Sequence, residues 1–216
     1  NRTLEAKERP HGDRIRITPD SPEAMEEPLW MAFFPSAHDP AVSHSLGDRH
    51  DHPEFERFYR DHIRKLLLVR GGTRYASKGN YNVTRLEYLL RIFPDARFVI
   101  PVREPASHIA SLLRQHERFS KACTGNPRGL AHLRQVGHFE FGLDRRPINT
   151  GDGARTAEVV RLWRDGDELR GWARYWSQVY GYVAERLQAN ERLSEAALVV
   201  RYEDLCGSSE TLVRKV

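Results

Sequence analysis

Lys78 and Arg103 are the side chains whose placement most suggests chemistry. They sit in one run, from Tyr75 to Ser111, that reads YASKGNYNVTRLEYLLRIFPDARFVIPVREPASHIAS. Its order is a lysine at a strand edge, an amphipathic helix, a Phe-Pro-Asp-Ala turn and a buried strand. Arg103 then closes the strand and Pro105 opens a helix. Positive charge therefore falls where a parallel strand gives way to a helix, the place where open α/β folds receive phosphorylated ligands. Two other groups could do chemistry. His44, His50 and His52, with Asp48 and Asp51 between them, carry ligand types that a metal site uses. A polar histidine loop is the commoner reading, and no metal is assigned. Cys123 and Cys206 are too few for a disulfide framework and read as free thiols in a reducing compartment, so a cytoplasmic location is expected.

Hydrophobic spacing gives the elements that must position these groups. Over 53–69, Phe55, Phe58, Tyr59, Ile63 and Leu66 recur at helical intervals, and Gly71-Gly72 end the helix. Residues 74–78 are expected as a short strand and 82–92 as a helix. Residues 97–102 have the composition of a buried parallel strand, with Pro101 marking where its ladder ends. The helix from Pro105 runs to about residue 118 and turns Ile109, Leu112 and Leu113 inward. Residues 119–160, rich in Gly, Pro, Arg and His, read as an irregular insertion. A long aromatic helix follows over 167–189, carrying Trp172, Tyr175, Trp176 and Tyr180, and then a strand over 197–201. Nearer the start, 20–27 looks like a helix N-terminus, followed by an apolar knot at 29–34. Alternation of this kind predicts an α/β fold, a parallel sheet flanked by helices.

The 216 residues suit one domain with a real core, and 39% hydrophobic with 30% charged residues suits a globular rather than a disordered chain. Net charge of +4 fits an anionic small ligand at least as well as nucleic acid, so no nucleic-acid partner is expected. No apolar run is long enough to span a membrane. Surplus aromatic surface on the 167–189 helix would suit a homodimer.

The run KGNYNVTRLEYLLRIFPDARFVIPVREPASHIASLLR resembles the middle of a sulfotransferase that uses 3′-phosphoadenosine 5′-phosphosulfate (PAPS). WARYWSQVYGYVAERL and then ALVVRYEDL resemble the family's next landmarks, in the same order. The resemblance covers roughly 75–118 and 168–206. It implies a P-loop NTPase-like α/β fold and transfer of a sulfuryl group from PAPS to a hydroxyl or amine, on a small-molecule or glycan acceptor and without a metal. It also implies that Arg103 and Ser111 hold the donor's 3′-phosphate, and that Lys78 steadies the charge that develops during transfer. Arg201 and Glu203 are expected as a structural ion pair. Arg128, Arg134, Arg145 and Arg146 would permit an acidic acceptor.

Some family features are missing from the sequence. No Gly/Ser/Thr-rich 5′-phosphosulfate loop precedes the matching run, and Arg70-Gly71-Gly72-Thr73 does not satisfy the triphosphate-loop pattern. The usual proline after the lysine is replaced by Gly79. The reading is therefore a single domain over 1–216 that is truncated at both ends and holds an incomplete fold, a fragment expected to be inactive alone. The alternatives are a nucleotide kinase or triphosphatase on a related fold, and a decayed, non-catalytic relative.

Overall fold

Helices form where apolar spacing and capping residues agree. The computed structural model describes residues 5–8, 14–18 and 26–207. In chain order these form β1 (Lys7–Glu8), β2 (Arg16–Ile17), α1 (Glu27–Phe33), α2 (Pro53–Arg70), a 3-10 turn (Asn80–Thr84) and α3 (Leu86–Ile92). There follow β3 (Phe98–Val102), α4 (Pro105–Cys123), α5 (Pro127–Gln135), α6 (Gly153–Arg164), α7 (Glu168–Ala189), α8 (Glu191–Ala196), β4 (Ala197–Arg201) and α9 (Tyr202–Gly207). The helix start expected at 20–27 lies, but for its last two residues, outside the described residues.

Local chemistry sets the boundaries. At the start of α2 the His52 ring accepts the Phe55 N–H at 3.3 Å, and Pro53 fills a position that needs no donor. Gly71 ends that helix at φ +62°, in the left-handed region that costs a glycine little. The glycine pair after Arg70 is thus a helix stop. Residues 119–160, expected as an irregular insertion, carry the end of α4, all of α5 and most of α6. Both new helices open on a capping side chain: Asn126 Oδ1 accepts the Gly129 N–H at 2.9 Å, and Asp152 Oδ1 accepts that of Arg155 at 3.0 Å.

The described residues are mainly helical, with two two-stranded sheets. β1 and β2 pair antiparallel, Lys7 with Ile17 and Glu8 with Arg16. β3 and β4 pair parallel, from Phe98 with Ala197 to Val102 with Arg201. This is smaller than the sheet expected of a P-loop-like fold, because residues 74–78 form no ladder. Their polar groups go elsewhere: the Tyr75 and Ser77 hydroxyls both donate to Glu26. The ladder also does not end at Pro101, which pairs with Val200. A strand with only one partner has an open side that can take a residue lacking an N–H.

Among the described residues, three clusters make up much of the core. Trp30, Phe55, Tyr59, Tyr88, Leu89 and Ile92 join α1, α2 and α3. Leu86, Leu90, Ile100, Val183, Leu193 and Ala196 seat β3 on α3, α7 and α8. Ile109, Val159, Trp163 and Trp172 bind α4, α6 and α7, with Leu112 and Leu113 packed alongside as expected. Each large aromatic buries about 150–250 Å². Gly171 is required where α6 meets α7, because a Cβ there would stand 2.3 Å from the Trp163 indole.

Candidate functional site

Parallel register decides what surrounds Arg103. Val102 pairs with Arg201, so the next residues, Arg103 and Tyr202, leave the sheet side by side. The guanidinium lies over the Tyr202 ring at 4.8 Å from its centroid, a cation–π contact. Two acids share this corner, and both spend oxygens on backbone donors. Glu104 accepts the N–H groups of Ala106 at 2.9 Å and Ser107 at 2.7 Å, capping α4. Those bonds, the Ser107 one foremost, hold its carboxyl below the usual range. Glu203 accepts the Glu104 N–H at 2.9 Å, replacing the ion pair expected with Arg201. Arg103 is left half-buried and without a direct ion pair among the described residues. Since Glu104 occupies the first free donors of α4, the guanidinium rather than the helix end would carry contact with an anion. Ser111, two turns along α4, is partly buried.

Lys78 is exposed, in a coil tethered on both sides. Upstream, Ser77 Oγ donates to Glu26 Oε2 at 2.5 Å, and Tyr59 donates to Glu26 Oε1 at 3.1 Å. The Tyr75 hydroxyl joins them, and burial with the nearby carboxylate pushes its pKa well up. Downstream, Asn80 Nδ2 donates to Glu140 at 3.0 Å. Lys78 thus stands between two side-chain tethers.

Sequence spacing gave no sign of the buried charge beside α1. Arg85 is 4% exposed and reaches both oxygens of Glu27, at 2.8 and 2.7 Å, while stacking over Trp30 at 4.2 Å. His38, also buried, brings Nε2 to 2.9 Å from Glu27, an ion-pair distance without the alignment of a directed hydrogen bond. Burial alone would raise the Glu27 pKa, but its hydrogen bonds to Arg85, with His38 close by, outweigh burial and lower it. A carboxylate, a guanidinium and an imidazole thus form a closed unit under an aromatic lid.

Three other histidines are fixed as neutral donors. His108 Nδ1 accepts the Trp176 indole N–H at 3.1 Å, so its proton sits on Nε2. Burial, then the charge of Arg103, lowers its pKa. His44 Nε2 donates to the Asp39 carbonyl at 2.9 Å while Nδ1 accepts the Asn149 N–H at 3.3 Å. His116 Nδ1 accepts the Gly142 N–H at 3.3 Å. His50 and His52 likewise accept backbone N–H groups, from Gly47 and Phe55. Among the described residues no three His, Cys, Asp or Glu side chains gather as a metal site would need.

The arginines of the 119–160 stretch are mostly engaged. Arg145 holds both Glu168 oxygens, at 2.6 and 2.8 Å, and lies over Trp163 at 4.0 Å. Arg134 pairs with Asp144, and Arg146 donates to the His38 carbonyl at 3.3 Å and covers Phe139. Arg128, the fourth of the arginines named from the sequence, is exposed. The aromatic helix α7 also spends its rings internally: Trp172 is buried against Trp163, and Trp176 packs on Tyr180.

Lys78, Arg103 and Ser111 share neither the cleft beside α1 nor the one between α4 and α6, which other residues line. The family assignment therefore rests on sequence. The pattern of the Sulfotransferase family matches residues 4–144, about two thirds of the chain, and the protein belongs to that family. The match includes Lys78, Arg103 and Ser111 and stops short of α7 and β4. No curated protein and no solved structure matches the chain. No helix among the described residues is long and apolar enough to cross a membrane.

Proposed function

We propose that this chain provides the 3′-phosphate and sulfuryl-handling residues of a PAPS-dependent sulfotransferase. The observation that carries the reading is Arg103, inside the family match, at the carboxyl end of a parallel strand, without a direct ion pair among the described residues. Its guanidinium can grip phosphate oxygens through two parallel hydrogen bonds, and the Ser111 hydroxyl can donate to the same anion. That donor set fits a phosphate monoester.

When bound, PAPS supplies a sulfuryl group on a mixed anhydride. The acceptor oxygen or nitrogen bonds to sulfur and its proton leaves to a base, while the bond from sulfur to the bridging oxygen breaks and releases adenosine 3′,5′-bisphosphate. Lys78 is the cation assigned to the charge that grows on the bridging oxygen. Its tethered backbone limits the reorganisation that such stabilisation would otherwise cost. His108 is not the base, because Trp176 fixes its proton on Nε2 and makes it a donor. The wider P-loop-like sheet and a single domain over 1–216 belong to the same proposal.

Calorimetric titration with adenosine 3′,5′-bisphosphate tests it. Binding should weaken ~10–100-fold in Arg103→Ala, the value of a charge-assisted hydrogen bond. Binding that ignores this substitution, or none at all, sinks the reading.

A further inference from the structure

The cleft between α4 and α6 carries charge of one sign. It offers about 340 Å³, and its lining includes two arginines, Arg145 and Arg164, but no aspartate or glutamate. Small-molecule sites commonly start at about 300 Å³. Arg145 is neutralised by its two bonds to Glu168. Arg164 is not. Its side chain is 74% exposed, and Asp165 stands 3.5 Å from it and 3.9 Å from Arg161, so two guanidiniums share one carboxylate. The last turn of α6 therefore keeps surplus positive charge.

Two donors on α4 open to the same space. His116 and Ser120 are one helical turn apart and both line the cleft. His116 Nδ1 accepts the Gly142 N–H, which leaves the proton on Nε2, and no acceptor among the described residues takes that proton. Nε2 is not sealed away from solvent either. Burial foremost, then Arg145, lowers the ring's pKa against the opposing charges of Glu168 and Glu117, so at pH 7.5 it is a neutral donor. Ser120 gives its carbonyl to Thr124, while its hydroxyl has no bond to the described residues. The remaining wall is largely apolar, with Leu143 54% and Val160 38% exposed beside Pro147 and Trp163.

We infer that the α4–α6 cleft binds an organic monoanion, with its oxyanion head on His116 Nε2, the Ser120 hydroxyl and Arg164 and its apolar body against Leu143, Pro147 and Val160. The site lies outside the sulfuryl-transfer reading and does not rest on it, because Lys78, Arg103 and Ser111 are not in its lining. A cationic ligand would meet two arginines and no carboxylate. A neutral one would forgo the charge-assisted bonds that the head can make.

The test is a titration of the ¹⁵N-labelled protein at pH 7.5 with 4-methylbenzoate, followed at the Gly142 amide and the His116 ring nitrogens. Both should shift together and saturate. 4-Methylbenzamide, the same body without the charge, should bind ~3–10-fold more weakly, and inorganic sulfate, a head without a body, should also bind more weakly. Arg164→Gln, at an exposed position, should cost ~2–5-fold in affinity for 4-methylbenzoate. His116→Asn keeps an oxygen that can accept the Gly142 N–H and removes the Nε2 donor, at a cost of ~3–10-fold. Should that variant fail to fold, Ser120→Ala reports on the same donor pair. Arg103→Ala should leave 4-methylbenzoate binding unchanged. No saturable shift, equal binding of the amide or of sulfate, full affinity in Arg164→Gln, or a loss in Arg103→Ala overturns the inference. The last of these would move the anion to the β3 corner, so this site and the donor reading stand or fall separately.

Discussion

The α1 region and the corner where β3 meets α4 handle charge in opposite ways. Beside α1, Arg85 and His38 are buried and close on a partly buried Glu27, and Glu26 receives three hydroxyls. At the corner, Glu104 and Glu203 satisfy the backbone while Arg103 keeps a face toward Tyr202 and pairs with neither. A buried pair offsets its desolvation only when it is complete, so it resists change and recognises nothing. A half-buried guanidinium without a direct partner costs little to keep and can still gain from an anion. The first region is closed to partners, and the second is the one for which binding is proposed.

The largest effect should come from breaking the closed unit. Arg85→Ala takes both guanidinium hydrogen bonds from Glu27 and leaves it only His38, and urea denaturation should show a loss of up to about 3–5 kcal/mol. A small effect would dissolve the contrast. The same pair makes a pH prediction. Glu27 titrates below the ordinary carboxylate range in the folded chain, despite burial, because Arg85 and His38 stabilise its charge. Its contribution is therefore full above that range and is lost as pH falls through the folded value. With Arg85→Met, burial prevails and the Glu27 pKa rises. Melting temperatures on acidification should then hold up better in the variant than in the parent.

The corner should behave the other way. Arg103→Ala should change stability by no more than ~0.5 kcal/mol while costing most of the bisphosphate affinity. A matching loss of both would make Arg103 a structural residue and erase the distinction. Ser111→Ala comes last, with a neutral hydrogen bond worth ~0.5–1.5 kcal/mol, or about 2–10-fold in affinity by calorimetry.

Elements with strong local signals could be read directly from the sequence. α2, α4 and α7 follow their apolar spacing to within a few residues, and β3 and β4 sit where the β-branched runs are. Residues 74–78 mislead because a strand needs a partner, and here Tyr75 and Ser77 bind Glu26, the latter 51 positions away. α5 and α6 were hidden by Gly and Arg density, although Asn126-Pro127 and Asp152 are cap signals that could have revealed them. Arg103 was visible as a candidate because its meaning lies in its neighbours along the chain. The Glu27–Arg85 pair was not, since its partners stand 58 positions apart and neither residue is unusual where it stands.

Parallel pairing of β3 with β4 also orders events in time. Glu203 bonds to Glu104 across 99 positions, so a chain leaving the ribosome presents Glu104 long before its neighbour exists. The entropy of closing so wide a loop grows only slowly with its length, but the contact is far apart in sequence and forms late. Helices α1 to α3 can assemble their aromatic cluster while synthesis continues, whereas the Arg103 corner must wait for β4 to arrive.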